Sequence, residues 1–150
     1  MASSMRKMAL GSDHGGFEMK EFIRIKLIEQ GWIVKDFGTY STESVDYPDF
    51  IHPVAKAVND GDFELAVILC GSGNGAQMTA NKYPQVRAAL CWSEQLVKLA
   101  RWHNNANILA LPGRFLALED AWNMVLTFVE TPFEGGRHQA RVDKISKLIE

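Results

Sequence analysis

A cysteine followed by a glycine-rich turn is the segment of this chain best suited to chemistry. Cys70 ends an apolar run that begins at Leu65, and the residues after it are Gly71, Ser72, Gly73, Asn74 and Gly75. The apolar run predicts a buried strand, and the glycines allow a sharp turn that leaves backbone N–H groups free for an anion. A helix that begins near Gly73 or Asn74 would point its positive end at the thiol and favour a thiolate. We predict carbon-acid or acyl chemistry on an anionic substrate, with a tight structural turn as the alternative.

The second cysteine is expected to be structural. Cys91 also ends an apolar run, but no glycine-rich turn follows it. Neither cysteine is expected in a disulfide, and two reduced thiols are typical of a cytoplasmic protein.

Two further polar pairs have both a functional and a structural interpretation. Asp13 and His14 come after the first apolar run, where they could project over the edge of a sheet or serve as a helix N-cap and a surface histidine. His103 and Asn104 end a helical segment, where a histidine often just complements the helix dipole.

A pair of arginines near the C-terminus could bind phosphate. Arg137 and Arg141 are four residues apart and would share one face of a helix, with His138 adjacent. Two guanidinium groups that converge on one point suit a phosphate, although a solvated helix face is the alternative.

These residues are positioned by alternating strands and helices. We predict strands at 8–10, 32–34, 65–70, 86–90 and 108–111, and helices at 17–30, 48–60, 74–82, 93–102, 116–129 and 137–149, with a polar loop at 37–47. The pattern predicts an α/β fold, a three-layer α/β/α sandwich with a five-stranded parallel sheet of Rossmann-like type. Ligands bind such sheets at the carboxyl ends of the strands, so the residues after the first, third and fifth strands could share a cleft, together with His103 and Asn104.

Composition narrows the class of protein. The 150 residues fit one domain, 1–150, in which residues 1–5 are expected to form a disordered extension. A hydrophobic content of 47% and a net charge of −2 fit a soluble globular protein and give no general attraction to nucleic acid or anionic membranes. The histidines and cysteines lack metal-ligand spacing, so no metal is expected. The glycine spacing is not that of a dinucleotide site, and Ser72 does not lie in a hydrolase motif.

Six segments, in order along the chain, closely resemble the ribose-5-phosphate isomerase B family, which includes galactose-6-phosphate isomerase subunits. They are Gly11–Phe17, Asp46–Pro48, Cys70–Gly75, Ala80–Lys82, His103–Asn107 and Glu134–Arg141. The resemblance extends from about Lys7 to the C-terminus. It implies an aldose–ketose isomerase that interconverts ribose 5-phosphate and ribulose 5-phosphate without a metal or a cofactor.

The resemblance also implies roles for single residues. Cys70 matches the base that takes the proton from C2, whereas some members use a glutamate at the position where this chain has Ala76. The remaining matches are His103 with Asp13 for ring opening, Ser72 near the transferring proton, the backbone N–H groups of Gly71, Gly73, Asn74 and Gly75 for the enediolate, Tyr47 and Asn104 for the sugar, and His14, Arg114, Arg137 and Arg141, with His138 nearby, for the phosphate.

In the family the site lies between two subunits. The resemblance therefore implies a homodimer with shared active sites, or a tetramer built from such dimers, in which the C-terminal arginines serve a partner's Cys70. Three other functions stay open: a hexose-6-phosphate isomerase, a non-catalytic module that binds sugar phosphates or nucleotides, and, least favoured, a dinucleotide-dependent oxidoreductase.

Overall fold

A five-stranded, all-parallel sheet forms the centre of the structure, a computed structural model that describes residues 6–147. The strands are β1 (Lys7–Ser12), β2 (Ile33–Asp36), β3 (Ala66–Cys70), β4 (Ala88–Leu90) and β5 (Ile108–Pro112), in the spatial order β2-β1-β3-β5-β4. All four strand pairs are parallel. The predicted α/β fold is confirmed, whereas the expectation for residues 1–5 falls outside the described residues.

Helices cover both faces of this sheet. They are α1 (Phe17–Glu29), α2 (Tyr47–Asn59), α3 (Asn74–Ala80), α4 (Glu94–Asn104), α5 (Leu118–Glu130) and α6 (Arg137–Ile145). A 3-10 turn at His14–Gly16 comes directly before α1. One apolar core joins α1, α4 and α5 to the sheet, and a second core joins α2 and α3 to its other face. Because both faces are covered, β3 and β5 are buried at every residue, which explains their uninterrupted apolar sequences.

Several predicted element ends differ from the structure, and side-chain hydrogen bonds explain two of these differences. The third helix ends at Ala80 because the Asn81 amide turns to the sheet, where it binds both the N–H (2.8 Å) and the carbonyl (2.9 Å) of Ala88. The fourth strand begins at Ala88, after Arg87 has donated its N–H to the Asn107 side chain at 2.7 Å. The last helix ends at Ile145 instead of continuing to 149.

The strand order changes direction between β1 and β3. The chain passes from β1 outward to β2 and then returns across β1 to β3. The loops after β1 and β3 consequently diverge and leave a crevice at the carboxyl edge of the sheet, the usual place for a ligand in an open α/β fold. None of the helices in residues 6–147 has the length and apolar character needed to cross a lipid bilayer.

Candidate active site

The Cys70 thiol lies at the carboxyl end of β3, against the turn that leads into α3. Its Sγ accepts a hydrogen bond from the Gly73 N–H at 3.2 Å, and the residue is only 5% exposed. Gly73 directs its N–H this way because its backbone is left-handed, with φ +80° and ψ −14°. A side chain is strongly disfavoured in that conformation. The glycine turn predicted after the third strand therefore directs a backbone donor at the sulfur, where negative charge on the thiolate would be stabilised.

The rest of the turn is held by Ser72. Its hydroxyl oxygen accepts from both the backbone N–H and the side-chain amide of Asn74, each at 3.3 Å. The helix that follows has seven residues, so the local N–H groups contribute more than a long helix dipole would.

Three loops meet around Cys70. The Asp13 N–H donates to the Leu69 carbonyl at 3.3 Å, and the Gly113 N–H donates to the Cys70 carbonyl at 2.9 Å. Arg114 donates its N–H to the Gly71 carbonyl at 3.0 Å, and its guanidinium group lies against the same glycine. The residues predicted to follow the first, third and fifth strands are thus neighbours, as the strand pattern indicates.

Asp13 takes the structural role that the sequence left open as an alternative. Its Oδ1 accepts from the Gly15 N–H at 2.8 Å and the Gly16 N–H at 3.2 Å, so it caps the 3-10 turn. The carboxylate is buried at 7% exposure. Because both of these bonds use Oδ1, the cap does not engage Oδ2.

His14 is oriented by the loop between β2 and α2. Its Nδ1 accepts a hydrogen bond from the Val45 N–H at 3.1 Å, which leaves the ring proton on Nε2 and makes Nε2 a donor. The loop is itself fixed to the end of β1 by two backbone hydrogen bonds: the Ser12 N–H donates to the Gly38 carbonyl at 2.8 Å, and the Ser12 carbonyl accepts from the Thr39 N–H at 2.7 Å.

A cavity of about 440 Å³ opens between the loops after β1 and β5. His14 and Arg114 line it together with backbone of Gly15 and Gly113, and the carboxylate-bearing Glu18 lies in the same wall. A donor imidazole and a guanidinium beside one cavity suit a phosphate group.

The ring of Tyr47, the first residue of α2, covers Gly75. A Cβ atom at Gly75 would lie 2.5 Å from Cε1 of this ring, so only glycine allows so close an approach. Tyr47 is 39% exposed, which keeps its hydroxyl accessible at the edge of the crevice.

The remaining predicted site residues lie at the opposite edge of the sheet. In each strand–helix–strand unit the helix runs back, so α4 ends next to the start of β5, where Asn107 donates to the Arg87 carbonyl at 3.0 Å. His103 and Asn104 end this helix, and α6 begins beside them. A five-residue strand such as β3 spans about 16 Å. Within one chain two groups therefore form, and the cleft that the strand pattern allowed for His103 and Asn104 does not include them. The amino-edge group consists of His103, Asn104, Arg137, His138 and Arg141.

Within the amino-edge group, two histidines stack. The rings of His103 and His138 have centroids 4.4 Å apart and planes inclined by 18°. Burial and the nearby His103 lower the pKa of His138, Arg137 and Arg141 act in the same direction, and Glu134 opposes them. The Glu134 Oε2 lies 3.9 Å from His138 Nε2. Sequence reasoning did not single out Glu134, because its only signal was the i,i+4 spacing to His138.

Cys91 has the properties expected of a structural cysteine. It is 2% exposed, and burial raises the pKa of its thiol to about 12. A thiol with this pKa is protonated at neutral pH and is a poor nucleophile.

A groove of about 730 Å³ follows the edge strand β4, away from the crevice at Cys70. Its walls include the apolar Leu90, Leu96, Leu99 and Ile145, and Asn104 also lines it. An edge strand with an apolar groove beside it is a surface that another chain can cover.

Comparisons with a family model and with known proteins point to the same family. The family model described as Ribose/Galactose Isomerase matches residues 8–145. Ribose-5-phosphate isomerase B of Escherichia coli K12 is 40% identical over 144 residues, which cover 96% of this chain and 97% of the relative. The protein of the same name from Mycolicibacterium paratuberculosis is 42% identical over 144 residues, covering 94% and 90%.

Solved structures agree with this result. A ribose 5-phosphate isomerase from Thermotoga maritima superposes with a TM-score of 0.94 at 46% identity, covering 97% of this chain and 100% of the other. Ribose-5-phosphate isomerase B from Mycoplasma genitalium, crystallised with bound ribulose-5-phosphate, gives 0.89 at 40% identity, covering 97% of both chains.

Proposed function

The chain is an enzyme of the ribose/galactose isomerase family, and from that premise we propose that it interconverts D-ribose 5-phosphate and D-ribulose 5-phosphate through an enediolate, with Cys70 as the base. One observation supports the assignment of the base: the Cys70 Sγ accepts the Gly73 N–H at 3.2 Å, and the next residue, Gly71, lies against the guanidinium of Arg114, which lines a cavity with His14. This combination supports the use of a thiol, an anion-stabilising turn and cationic or donor groups on one substrate.

The proposed reaction starts from the open-chain aldose. The Cys70 thiolate removes the proton from C2, and the electrons of that C–H bond form the C1–C2 double bond while the carbonyl oxygen O1 takes up negative charge. After a proton has moved from O2 to O1, the Cys70 thiol returns its proton to C1 and the ketose forms. Fixed N–H donors of Gly71–Gly75 would stabilise the charged oxygen, an effect of a few kcal/mol for each well-placed donor.

Phosphate binding would hold the open-chain sugar in a fixed position. His14 and Arg114 both line the 440 Å³ cavity, and the Nε2–H of His14 and the guanidinium of Arg114 can donate hydrogen bonds to a phosphate there. Binding energy at a phosphate remote from C1 and C2 orients the reacting carbons and lowers the entropic barrier of the proton transfer.

We further propose that two chains complete each site. The ring-opening and phosphate roles assigned to His103, Arg137 and Arg141 need these residues at the substrate, yet they lie at the amino edge of the same chain's sheet. A two-fold axis across the strands would place one chain's amino edge at the carboxyl edge of its partner and generate two equal sites. The apolar groove along β4, which Asn104 helps to line, supports this surface as the contact.

The proposal places the enzyme in the cytoplasm and requires neither a cofactor nor a metal for turnover. Two thiols kept free, Cys70 and Cys91, fit a reducing compartment.

The test is an isomerisation assay on the purified full chain with EDTA present. We expect ketose formation from ribose 5-phosphate, with allose 6-phosphate and galactose 6-phosphate turned over much more slowly. Faster turnover of a hexose phosphate would leave the proposed aldose–ketose isomerisation in place but make the hexose phosphate the substrate. Loss of turnover on adding EDTA would contradict the metal-free reaction.

A further inference from the structure

Three side chains at the amino edge of the sheet converge although the sequence shows no metal-ligand motif there. His103 ends α4, Glu134 lies in the segment before α6, and His138 lies in the first turn of α6. One donor atom from each residue lies within 4.8 Å of the other two. We infer that these three residues form a site for a divalent transition-metal cation of the Zn²⁺ type.

The strongest indication is an unsatisfied nitrogen. The His138 side chain is only 8% exposed, and its Nε2 is buried without a hydrogen-bond partner among residues 6–147. The nearest acceptor, Oε2 of Glu134, is 3.9 Å away, too far for a hydrogen bond. A buried polar atom without a partner costs free energy, so a ligand that bridges Nε2 and the carboxylate would be favoured.

The donor set fits the chemistry of zinc. Two imidazoles and one carboxylate, with an open fourth position, form a common zinc ligand set. Imidazole also selects Zn²⁺, Cu²⁺, Ni²⁺ and Co²⁺ over Mg²⁺ and Ca²⁺, which prefer oxygen ligands. We therefore expect the site to discriminate against the alkaline-earth cations.

The present geometry is open and must contract on binding. Metal–nitrogen and metal–oxygen distances of about 2.1 Å place tetrahedral ligand atoms about 3.4 Å apart, so the donors need to move together by about 1 Å. Glu134, which is 41% exposed, is free to change rotamer. The rings of His103 and His138 are stacked nearly parallel, and two stacked imidazoles cannot both direct an in-plane nitrogen at one ion, so the half-buried His103 must rotate toward the ion.

Local charge limits the affinity. Arg137 and Arg141 lie near His138 and repel a cation, whereas Glu134 supplies one negative charge. Glu134 is the one charged ligand of the three. Removing its negative charge should therefore weaken cation binding more than removing one of the neutral imidazole ligands.

Occupancy would inhibit isomerisation, a consequence that rests on the proposed function. The cation would engage His103, to which ring opening is assigned, and His138, which lies beside the phosphate-binding arginines. An unoccupied site is then the active form, which matches the turnover that the proposed function predicts in EDTA.

The binding test titrates the EDTA-treated full chain with Co²⁺, read by its visible absorption, and with Zn²⁺ in competition. We expect Glu134→Gln and His138→Gln to weaken binding at least tenfold, which is the usual effect of losing a ligand or its close support. His52→Gln is the matched control, since His52 is hydrogen-bonded to Tyr83 at 2.9 Å and lies outside the cluster. Cys70→Ser tests whether the Cys70 thiol, and not the histidine–glutamate cluster, binds the added Co²⁺.

Wild-type affinity in both Glu134→Gln and His138→Gln would overturn the site, and so would loss of binding in Cys70→Ser. For the inhibitory role, Zn²⁺ should slow the wild type and have at least tenfold less effect on Glu134→Gln, whose activity without metal should be normal. Cobalt binding at the cluster without any inhibition would overturn that role alone. A chain that binds Co²⁺ as expected but isomerises no phosphosugar would overturn the proposed function and leave the metal site supported.

Discussion

Tyr47 and Gly75 are in direct contact across the junction of α2 and α3, with the tyrosine ring resting on the glycine. A Cβ at Gly75 would lie 2.5 Å from Cε1 and 2.6 Å from Cζ of the ring. Because these atoms belong to the far end of a partly exposed side chain, an added methyl group would move the ring and not the backbone. The contact therefore couples the glycine turn to the side chain proposed to touch the sugar.

Gly75→Ala should raise KM several-fold and leave stability almost unchanged. The methyl group displaces the Tyr47 ring, while alanine in place of glycine in a helix offsets part of any strain, by up to about 1 kcal/mol. Steady-state kinetics and chemical denaturation measure the two effects. If Gly75 acts through the ring, the same substitution in a Tyr47→Ala background should have no further effect on KM. An equal effect in both backgrounds would contradict this coupling.

Gly73→Ala should be much more damaging, because it combines backbone strain with overpacking. The left-handed φ of +80° costs a non-glycine residue about 1–2 kcal/mol, and the new Cβ would lie 2.5 Å from Leu90 Cδ1 and 3.2 Å from the Leu111 carbonyl. We expect the free energy of unfolding to fall by about 2–5 kcal/mol. Gly31→Ala is the control, since Gly31 has a φ of +89° with no atom within 4 Å of the Cβ position. An equal loss in the free energy of unfolding in the two variants would mean that overpacking contributes nothing to the effect of Gly73→Ala.

Cys70→Ala should lower kcat by about 100- to 10,000-fold, the usual contribution of a positioned general base. Binding of ribose 5-phosphate, measured by calorimetry, should change little because the phosphate is held by other residues. Cys91→Ala is the matched control: this thiol is buried in the core and should be dispensable for turnover. Wild-type kcat in Cys70→Ala would exclude Cys70 as the base.

The sequence predicts the fold and the carboxyl-edge residues well, because both depend on local patterns. Apolar runs locate the five strands, and the parallel arrangement then brings the loops containing Asp13, Cys70 and Arg114 together without further information. Ser93, where the fourth helix is predicted to begin, caps α4 through its hydroxyl, which accepts the Leu96 N–H at 3.3 Å.

The amino-edge group could not be located from local patterns. The position of His103 depends on the direction in which α4 returns, and its stacking on His138 depends on how α6 packs on α4. Both are long-range packing results that one sequence does not encode as a motif. Asp13 was ambiguous for another reason: a carboxylate that caps a turn and one that faces a ligand follow a strand in the same way.

Stability should decline at alkaline pH through Cys91. Burial raises the pKa of its thiol to about 12 from the ordinary value of 9.0, so the folded state resists ionisation more than the unfolded chain does. The unfolded chain therefore releases the proton first, and the contribution of this group is complete below pH 9 and is lost as the pH rises from 9 to 12. The slope cannot exceed about 1.4 kcal/mol per pH unit. Denaturation of wild type and Cys91→Val between pH 7 and 11 should show a steeper decline for the wild type; parallel curves would contradict the assignment.

Hybrid dimers test whether each site takes residues from two chains. Cys70→Ala and Arg137→Ala should each be nearly inactive alone at low substrate, because every site then carries one lesion. In a hybrid of the two variants, shared sites place both lesions in one site and leave the other intact. Random mixing gives half hybrids with one intact site each, so about a quarter of wild-type activity should return.

The same experiment distinguishes a shared site from one built within a single chain. If Cys70 and Arg137 of one chain served the same substrate, every site in the hybrid would still carry one lesion, and mixing would restore nothing. Unfolding and refolding the mixed variants, with differently tagged chains to isolate hybrids, allows activity to be measured per hybrid. Restoration would mean that the two groups at opposite edges of the sheet act together only across the interface, since a five-residue strand keeps them about 16 Å apart in one chain.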